Sequence, residues 1–178
     1  MMTSRMIWCL SILFIFLVGC QSNSDESKIE VPVTYENLTM EELGKKTTLP
    51  VKLPTVLPFE PKEVFITLDD YQDLYEKGEQ VEEIQVRYIK THREGRYLDV
   101  SISNFEQISE EGETVLLENG TEAVYAEDEI GQLLFWKEGN LNYRLVYYTS
   151  TKVNEGQKPL SLEQLIEIAN SFEPIEKQ

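Results

Sequence analysis

The spacing of apolar and polar residues changes several times along the chain, and each change predicts an element. Ile7 to Val18 is an unbroken run of twelve apolar or small residues behind the single charge of Arg5. As a helix it would span roughly 18 Å, short of the ~30 Å hydrocarbon core of a bilayer. It therefore predicts a cleavable signal segment rather than a membrane span. Gln21 to Lys28 is polar without periodicity and predicts a flexible tether. Thr39-Met40-Glu41-Glu42 has capping-box spacing and predicts a short helix ending at Leu43, before Gly44.

The next stretch, Leu49 to Pro61, carries prolines at positions 50, 54, 58 and 61. Proline removes a backbone donor and fixes φ, which rules out a helix interior or a central strand. An extended strap on the domain surface is expected, with a proline-rich ligand for another domain as the alternative.

From Val64 the period becomes two. Strands are predicted at Val64–Leu68, Ile84–Ile89, Tyr97–Ile102, Val115–Leu117, Ala123–Tyr125, Gln132–Lys137 and Leu141–Thr149. Turns fall at Glu94-Gly95-Arg96, Asn119-Gly120 and Glu138-Gly139-Asn140. Tyr71 to Gly78 fits a short helix or a loop. Ser161 and Gln164 form a second capping box, and Leu162, Leu165, Ile166, Ala169 and Phe172 make an apolar stripe that Pro174 ends. The expected fold is α+β: an antiparallel meander of about six to seven strands with the C-terminal helix packed on one face. The expected organisation is a signal over residues 1–19, a tether over 20–48 and one domain over 49–178.

One strand departs from simple alternation. In Leu133-Leu134-Phe135-Trp136 both alternating sets are apolar, and nearly so in Tyr143 to Tyr148. A strand with one solvated face should alternate, so both faces need covering. The C-terminal helix suits one, and the strap or the tether helix the other. Alternatively, the second face lines a pocket for an apolar ligand, with Trp136, Tyr143 and Tyr148 as aromatic walls.

Charge narrows the range of partners. Removing residues 1–19 takes away only Arg5, leaving 15 basic against 32 acidic side chains in 159 residues. A surface so acidic excludes nucleic acid, whose phosphates require Lys and Arg, and is repelled by anionic lipid. Of the two cysteines, Cys9 lies in the signal, so Cys20 has no partner for an intramolecular disulfide.

Leu17-Val18-Gly19-Cys20, at the end of the apolar run, resembles the lipobox of bacterial lipoproteins. The resemblance implies cleavage before Cys20 and a palmitate-containing diacylglyceryl group on its thiol. The domain would then be held on the extracytoplasmic face of a cell membrane, as in Gram-positive bacteria. Further on, Leu53-Pro54-Thr55-Val56-Leu57-Pro58, Asn119 to Tyr125, Leu134-Phe135-Trp136 with Tyr143-Arg144-Leu145, and Leu160 to Ala169 follow one another in an order similar to that of the bacterial family called domain of unknown function 4367. That resemblance spans about Leu49 to Phe172. It implies an extracytoplasmic sensory or binding domain and brings no catalytic residues with it. Its membrane-spanning members differ from this chain, where the lipid would be the attachment.

Catalytic patterns are sparse. His92 is the sole histidine, next to a predicted turn, and with no second histidine the usual zinc sets are missing. Glu127-Asp128-Glu129 lacks the ligand spacing of a calcium loop. No nucleophile elbow, zinc-protease helix or phosphate loop occurs. The expectation is a non-enzymatic binding or protein-interaction module with no cofactor and no metal, facing an envelope protein. Two alternatives stay open: a carrier or sensor of an apolar small molecule or lipid, and a carboxylate-based envelope hydrolase.

Overall fold

A computed structural model of the chain describes residues 32–71, 80–91, 96–105, 111–129, 131–148 and 159–175. Ten strands and two helices occur among them: β1 (Val33–Tyr35), α1 (Met40–Lys46), β2 (Lys52–Pro54), β3 (Glu63–Asp70), β4 (Glu82–Thr91), β5 (Arg96–Ser103), β6 (Glu113–Leu116), β7 (Glu122–Glu127), β8 (Gly131–Glu138), β9 (Leu141–Tyr148), α2 (Leu162–Asn170) and β10 (Phe172–Pro174). The protein is α+β, built mainly on antiparallel sheet.

Eight strands form the main sheet in the order β1-β3-β4-β5-β9-β8-β7-β6, and β10 pairs with β2 in a separate ribbon. The expected single meander of six to seven strands is thus corrected in two ways. The sheet is wider, and it joins two meanders, β3-β4-β5 and β6-β7-β8-β9, through the pairing of β5 with β9. Hairpins follow from local turn chemistry, but the β5–β9 pairing, with Val100 opposite Leu145, joins residues far apart in the chain and has no local signal. The turn at Asn119-Gly120 forms as its residues dictate. Gly120 has φ +82°, a region only glycine enters freely, and the Asn119 side chain accepts from the Thr121 amide at 2.9 Å.

Inward-facing residues at alternate positions build one core. Ile66, Leu68, Ile84, Val86, Leu98, Val100, Ile102, Leu134, Tyr143 and Leu145 are all buried in it, each contributing about 1.5–3 kcal/mol relative to exposure. Leu165, Ile168 and Ala169 of α2 enter the same core. The α2 entry is held by the buried Gln132, whose amide donates to the Leu160 carbonyl at 2.9 Å and accepts from the Leu160 amide at 2.8 Å. This side-chain amide takes the place of a backbone pairing partner.

Both capping boxes form, at Thr39 with Glu42 and at Ser161 with Gln164. The backbone and side-chain bonds from Thr39 hold the Glu42 carboxyl below its ordinary range. α1 does not stop at Gly44 but runs on to Lys46, because nothing crowds that glycine and Leu43 is fully buried beside it. The domain accordingly starts earlier than 49: β1 pairs with β3, and α1 sends Leu43 into the core. The stretch 32–48, expected to be tether, belongs to the fold because its few apolar side chains have core sites to fill. The proline-rich strap is likewise more than a surface cover. Leu49, Val51, Leu53 and Phe59 are core residues, and Lys52–Pro54 pairs with Phe172–Pro174.

Candidate functional site

The three aromatic residues singled out in the sequence do not come together. Trp136 lies opposite Tyr143 on the neighbouring strand, and the two rings stack with centroids 5.2 Å apart and planes 7° from parallel. Phe172 stands edge-on to both, at 5.1 and 5.7 Å. All three are core or packed against it. Burial, with the charge of Glu138 nearby, pushes the Tyr143 phenol up to about 12. Tyr148 is five residues further along the same strand and so points to the opposite face, where it meets Tyr97 edge-on at 6.3 Å. Trp136 and Tyr143 are therefore packing partners of Phe172 in β10 rather than walls of the space beside Tyr148.

The doubly apolar strand divides its side chains between the two faces, and Leu133 is buried although it is not part of the inward core. Leu134 and Trp136 point into the core, and Leu133 and Phe135 point outward. The strap and α1 do not cover that outward face, as had been expected of them. Their buried residues share the one core with α2, since only the inward face presents an apolar surface across the full width of the sheet.

Cross-strand register organises the outward face into rows. One runs Ala126, Leu133, Val146, Asp99, Arg87 and Phe65 from β7 to β3. The next runs Val124, Phe135, Arg144, Ser101, Gln85 and Thr67. The β7–β8 side is thus apolar and the β4–β5 side polar. A depression of about 410 Å³ lies over the apolar side, lined by Ala126, Leu133, Val146, Tyr148 and Arg144 with Glu111, Glu127 and Asp128 at its rim. A smaller one of about 170 Å³ adjoins it through Arg144, Val146 and Tyr148 and is lined by Glu83, Arg87, Asp99 and Ser101.

Electrostatics on the polar side are internally satisfied. Arg87 grips Asp99 in a bidentate pair, Nε to Oδ1 at 2.8 Å and NH2 to Oδ2 at 2.6 Å, which holds the guanidinium above its usual range. Ser101 donates to Glu83 at 2.6 Å. Burial, reinforced by Asp99, raises the Tyr148 phenol. Asp99 is committed to Arg87 in a charge-assisted fork, which leaves it poorly placed to move protons to or from a substrate.

A buried carboxylate escaped the sequence reading. Glu82 is 1 % exposed, accepting from the Thr47 hydroxyl on one oxygen and from the Gln80 amide on the other, while its backbone N–H donates to Asn104 at 2.9 Å. Thr47 also caps α1 through its amide and receives the Leu49 amide on its hydroxyl. Glu82 thereby ties the end of α1 and the start of the strap to the sheet. Only its position after Val81 at a strand start hinted at burial, and many of the chain's other acidic residues are solvated. Asp128 serves a turn, its side chain accepting from the Gly131 amide at 2.9 Å. Among the described residues no group of three or more His, Cys, Asp or Glu is placed to hold a metal ion, and no helix is long and apolar enough to cross a membrane. Cys20, His92 and the stretch 72–78 lie outside the described residues.

No protein-family model matches the chain, and neither a curated protein nor a solved structure matches it.

Proposed function

We propose that the chain is a membrane-anchored extracytoplasmic lipoprotein whose domain is a non-catalytic binding or interaction module of the cell envelope. The observation that carries this reading is Leu17-Val18-Gly19-Cys20 at the end of a twelve-residue apolar run and directly before a polar segment. Two acyl chains on Cys20 supply ~0.8 kcal/mol per buried methylene, enough for stable attachment where one chain is marginal. The ordered resemblance to the domain of unknown function 4367 family supports an extracytoplasmic binding role. A closed core on one face of the sheet and an amphipathic, internally paired surface on the other also suit adhesion better than turnover.

The test is metabolic labelling with palmitate and fractionation of the wild type beside Cys20→Ala. Label and membrane retention are expected for the wild type and loss of both for the variant. An unlabelled wild type, or a variant still held in the membrane, would refute the anchor.

A second reading, a carrier or sensor of an apolar small molecule or lipid, is favoured by the depression of about 410 Å³ over Leu133, Val146 and Tyr148. Extraction of the purified protein followed by mass spectrometry should then return a stoichiometric lipid, and Val146→Glu should abolish its recovery. A lipid-free extract would sink this reading and leave the anchor untouched.

A further inference from the structure

Exposed large apolar side chains are unevenly placed on this domain. Of six such side chains among the described residues, Val33, Met40, Val64 and Phe65, between 37 and 47 % exposed, lie along one margin of the main sheet, while Val56 sits in the strap and Leu116, at 64 %, on the far margin. β1 is the outermost strand there, and it pairs only with the Leu68–Asp70 end of β3. The chain then continues along β3, where the Leu38 amide donates to the Ile66 carbonyl at 3.1 Å. That bond brings the start of α1 and Met40 to the half of β3 that β1 leaves uncovered. Val64 and Phe65 are successive residues of that half, so they project on opposite sides of the sheet and flank its edge from both. Lys62 and Lys90 stand together at the same end, and Lys46 lies over the Tyr35 ring of β1 at 3.9 Å.

We propose that this margin, made of β1, the start of α1 and the first half of β3, is a docking surface for the lipid bilayer that carries the anchor. The proposal rests on the lipoprotein reading. From Cys20 to Pro32 there are twelve peptide steps, a covalent reach of at most about 40 Å. The first strand among the described residues begins at Val33, on this margin. The opposite margin is β6, seven strand spacings away, about 34 Å further at ~4.8 Å each. Its exposed Leu116 is the least able of these side chains to meet the same bilayer.

Covalent attachment to the membrane raises its local concentration at the domain, so a contact too weak to recruit a free domain is enough to orient an anchored one. Acidic neighbours decide the character of the contact. Glu63, Asp69 and Asp70 share the margin with the lysines, so attraction to anionic headgroups does not hold it there. Seating the apolar side chains between headgroups does, with the lysine stems reaching alongside them.

The acylated protein is to be reconstituted into phosphatidylcholine vesicles containing nitroxide-labelled lipid, with an environment-sensitive fluorophore on Met40→Cys, Phe65→Cys or Leu116→Cys. Acylated Cys20 does not react with the label, so each variant reports one site. Quenching several-fold stronger at positions 40 and 65 than at 116, and little changed by added salt, is the expected result. Two labelled sites on the margin guard against a variant that does not fold, as judged by circular dichroism. Retention on vesicles with equal quenching at all three sites, or strongest quenching at 116, overturns the docking surface and leaves the anchor standing. A protein that carries no acyl group and does not stay on the vesicles overturns both.

Discussion

Trp136 and Tyr143 face each other across β8 and β9 as a parallel stack, with Phe172 closing the pair from the side. This cluster links the sheet to β10, with Trp136 and Tyr143 buried and Phe172 partly so. Removing the indole leaves a large void, so Trp136→Ala is expected to lower the unfolding free energy by ~3–5 kcal/mol. A double-mutant cycle with Tyr143→Leu, followed by circular dichroism in urea, should return a coupling of ~0.5–1.5 kcal/mol. Strict additivity would show that the stack adds nothing beyond the area it buries.

Thr47→Val keeps the shape of a buried side chain but withdraws the hydroxyl from Glu82 and from the Leu49 amide. A buried acceptor left short of a donor costs ~1–3 kcal/mol, and a loss of that size in the urea midpoint, with an unchanged slope, is expected. Thr47→Ser retains the donor and should lose much less. If the two variants behave alike, the hydrogen bond is not what holds the end of α1 to the sheet.

Two glycines should respond in opposite directions to the same substitution. A Cβ on Gly112 would sit 2.2 Å from the Tyr125 carbonyl oxygen and 2.9 Å from Val124 Cγ1, so Gly112→Ala forces the backbone apart at a cost of ~1–3 kcal/mol. A Cβ on Gly44, inside α1, meets nothing within 4 Å. Gly44→Ala should therefore stabilise by ~0.5–1 kcal/mol through helix propensity. Thermal melts of both variants check the pair, and a destabilised Gly44→Ala would contradict the open surface at that position.

Burial pushes the phenols of Tyr88 and Tyr143 up to about 12, against about 10 in an unfolded chain. Below pH about 10 both are protonated whether folded or not, and their contribution to stability is fully present. Between there and about 12 the unfolded chain ionises them while the folded chain keeps its protons, so stability falls as pH rises. Melting temperature should decline across this window, with two tyrosines ionising only as the fold is lost. Ultraviolet titration of tyrosinate, run beside the melts, decides whether they ionise in the folded state instead.

The bidentate pair of Arg87 with Asp99 is half exposed on the guanidinium side, so solvent screens it. Asp99→Asn is expected to cost no more than ~1 kcal/mol in urea unfolding. A much larger loss would mean that the polar side of the outward face is a structural network rather than a presented surface.

Period-two alternation located β3 through β9 to within a few residues, and both helices were legible from their capping boxes, because each of those signals is satisfied inside a short stretch. β1, β2 and β10 were missed, β2 lying within the expected extended strap: three residues pairing with distant strands have no periodicity of their own. Phe172 continued the apolar stripe of α2 on paper, yet α2 ends at Asn170 and Phe172 opens β10. Pairing with β2 and contact with Trp136 outweigh one more helical residue. Tyr143 and Tyr148 stand five positions apart on β9, an odd spacing that places them on opposite faces. Gln132 and Glu82 looked like ordinary surface residues, since nothing local tells a polar side chain that a buried partner awaits it.

The sequence by itself determined the α+β class, most strands, the two capped helices, the acidic surface and the lipobox-like stretch that motivates an anchor at Cys20, because all of these depend on residue identity and short spacing. Only the tertiary structure decided that strap, α1 and α2 fill one face together, that Trp136 and Tyr143 close the core while Tyr148 belongs to the other side, and that Val33, Met40, Val64 and Phe65 share one margin. Each of those facts follows from which distant strands pair. The choice rests on burying the whole inward face at once, a property of the assembled sheet that no short stretch carries.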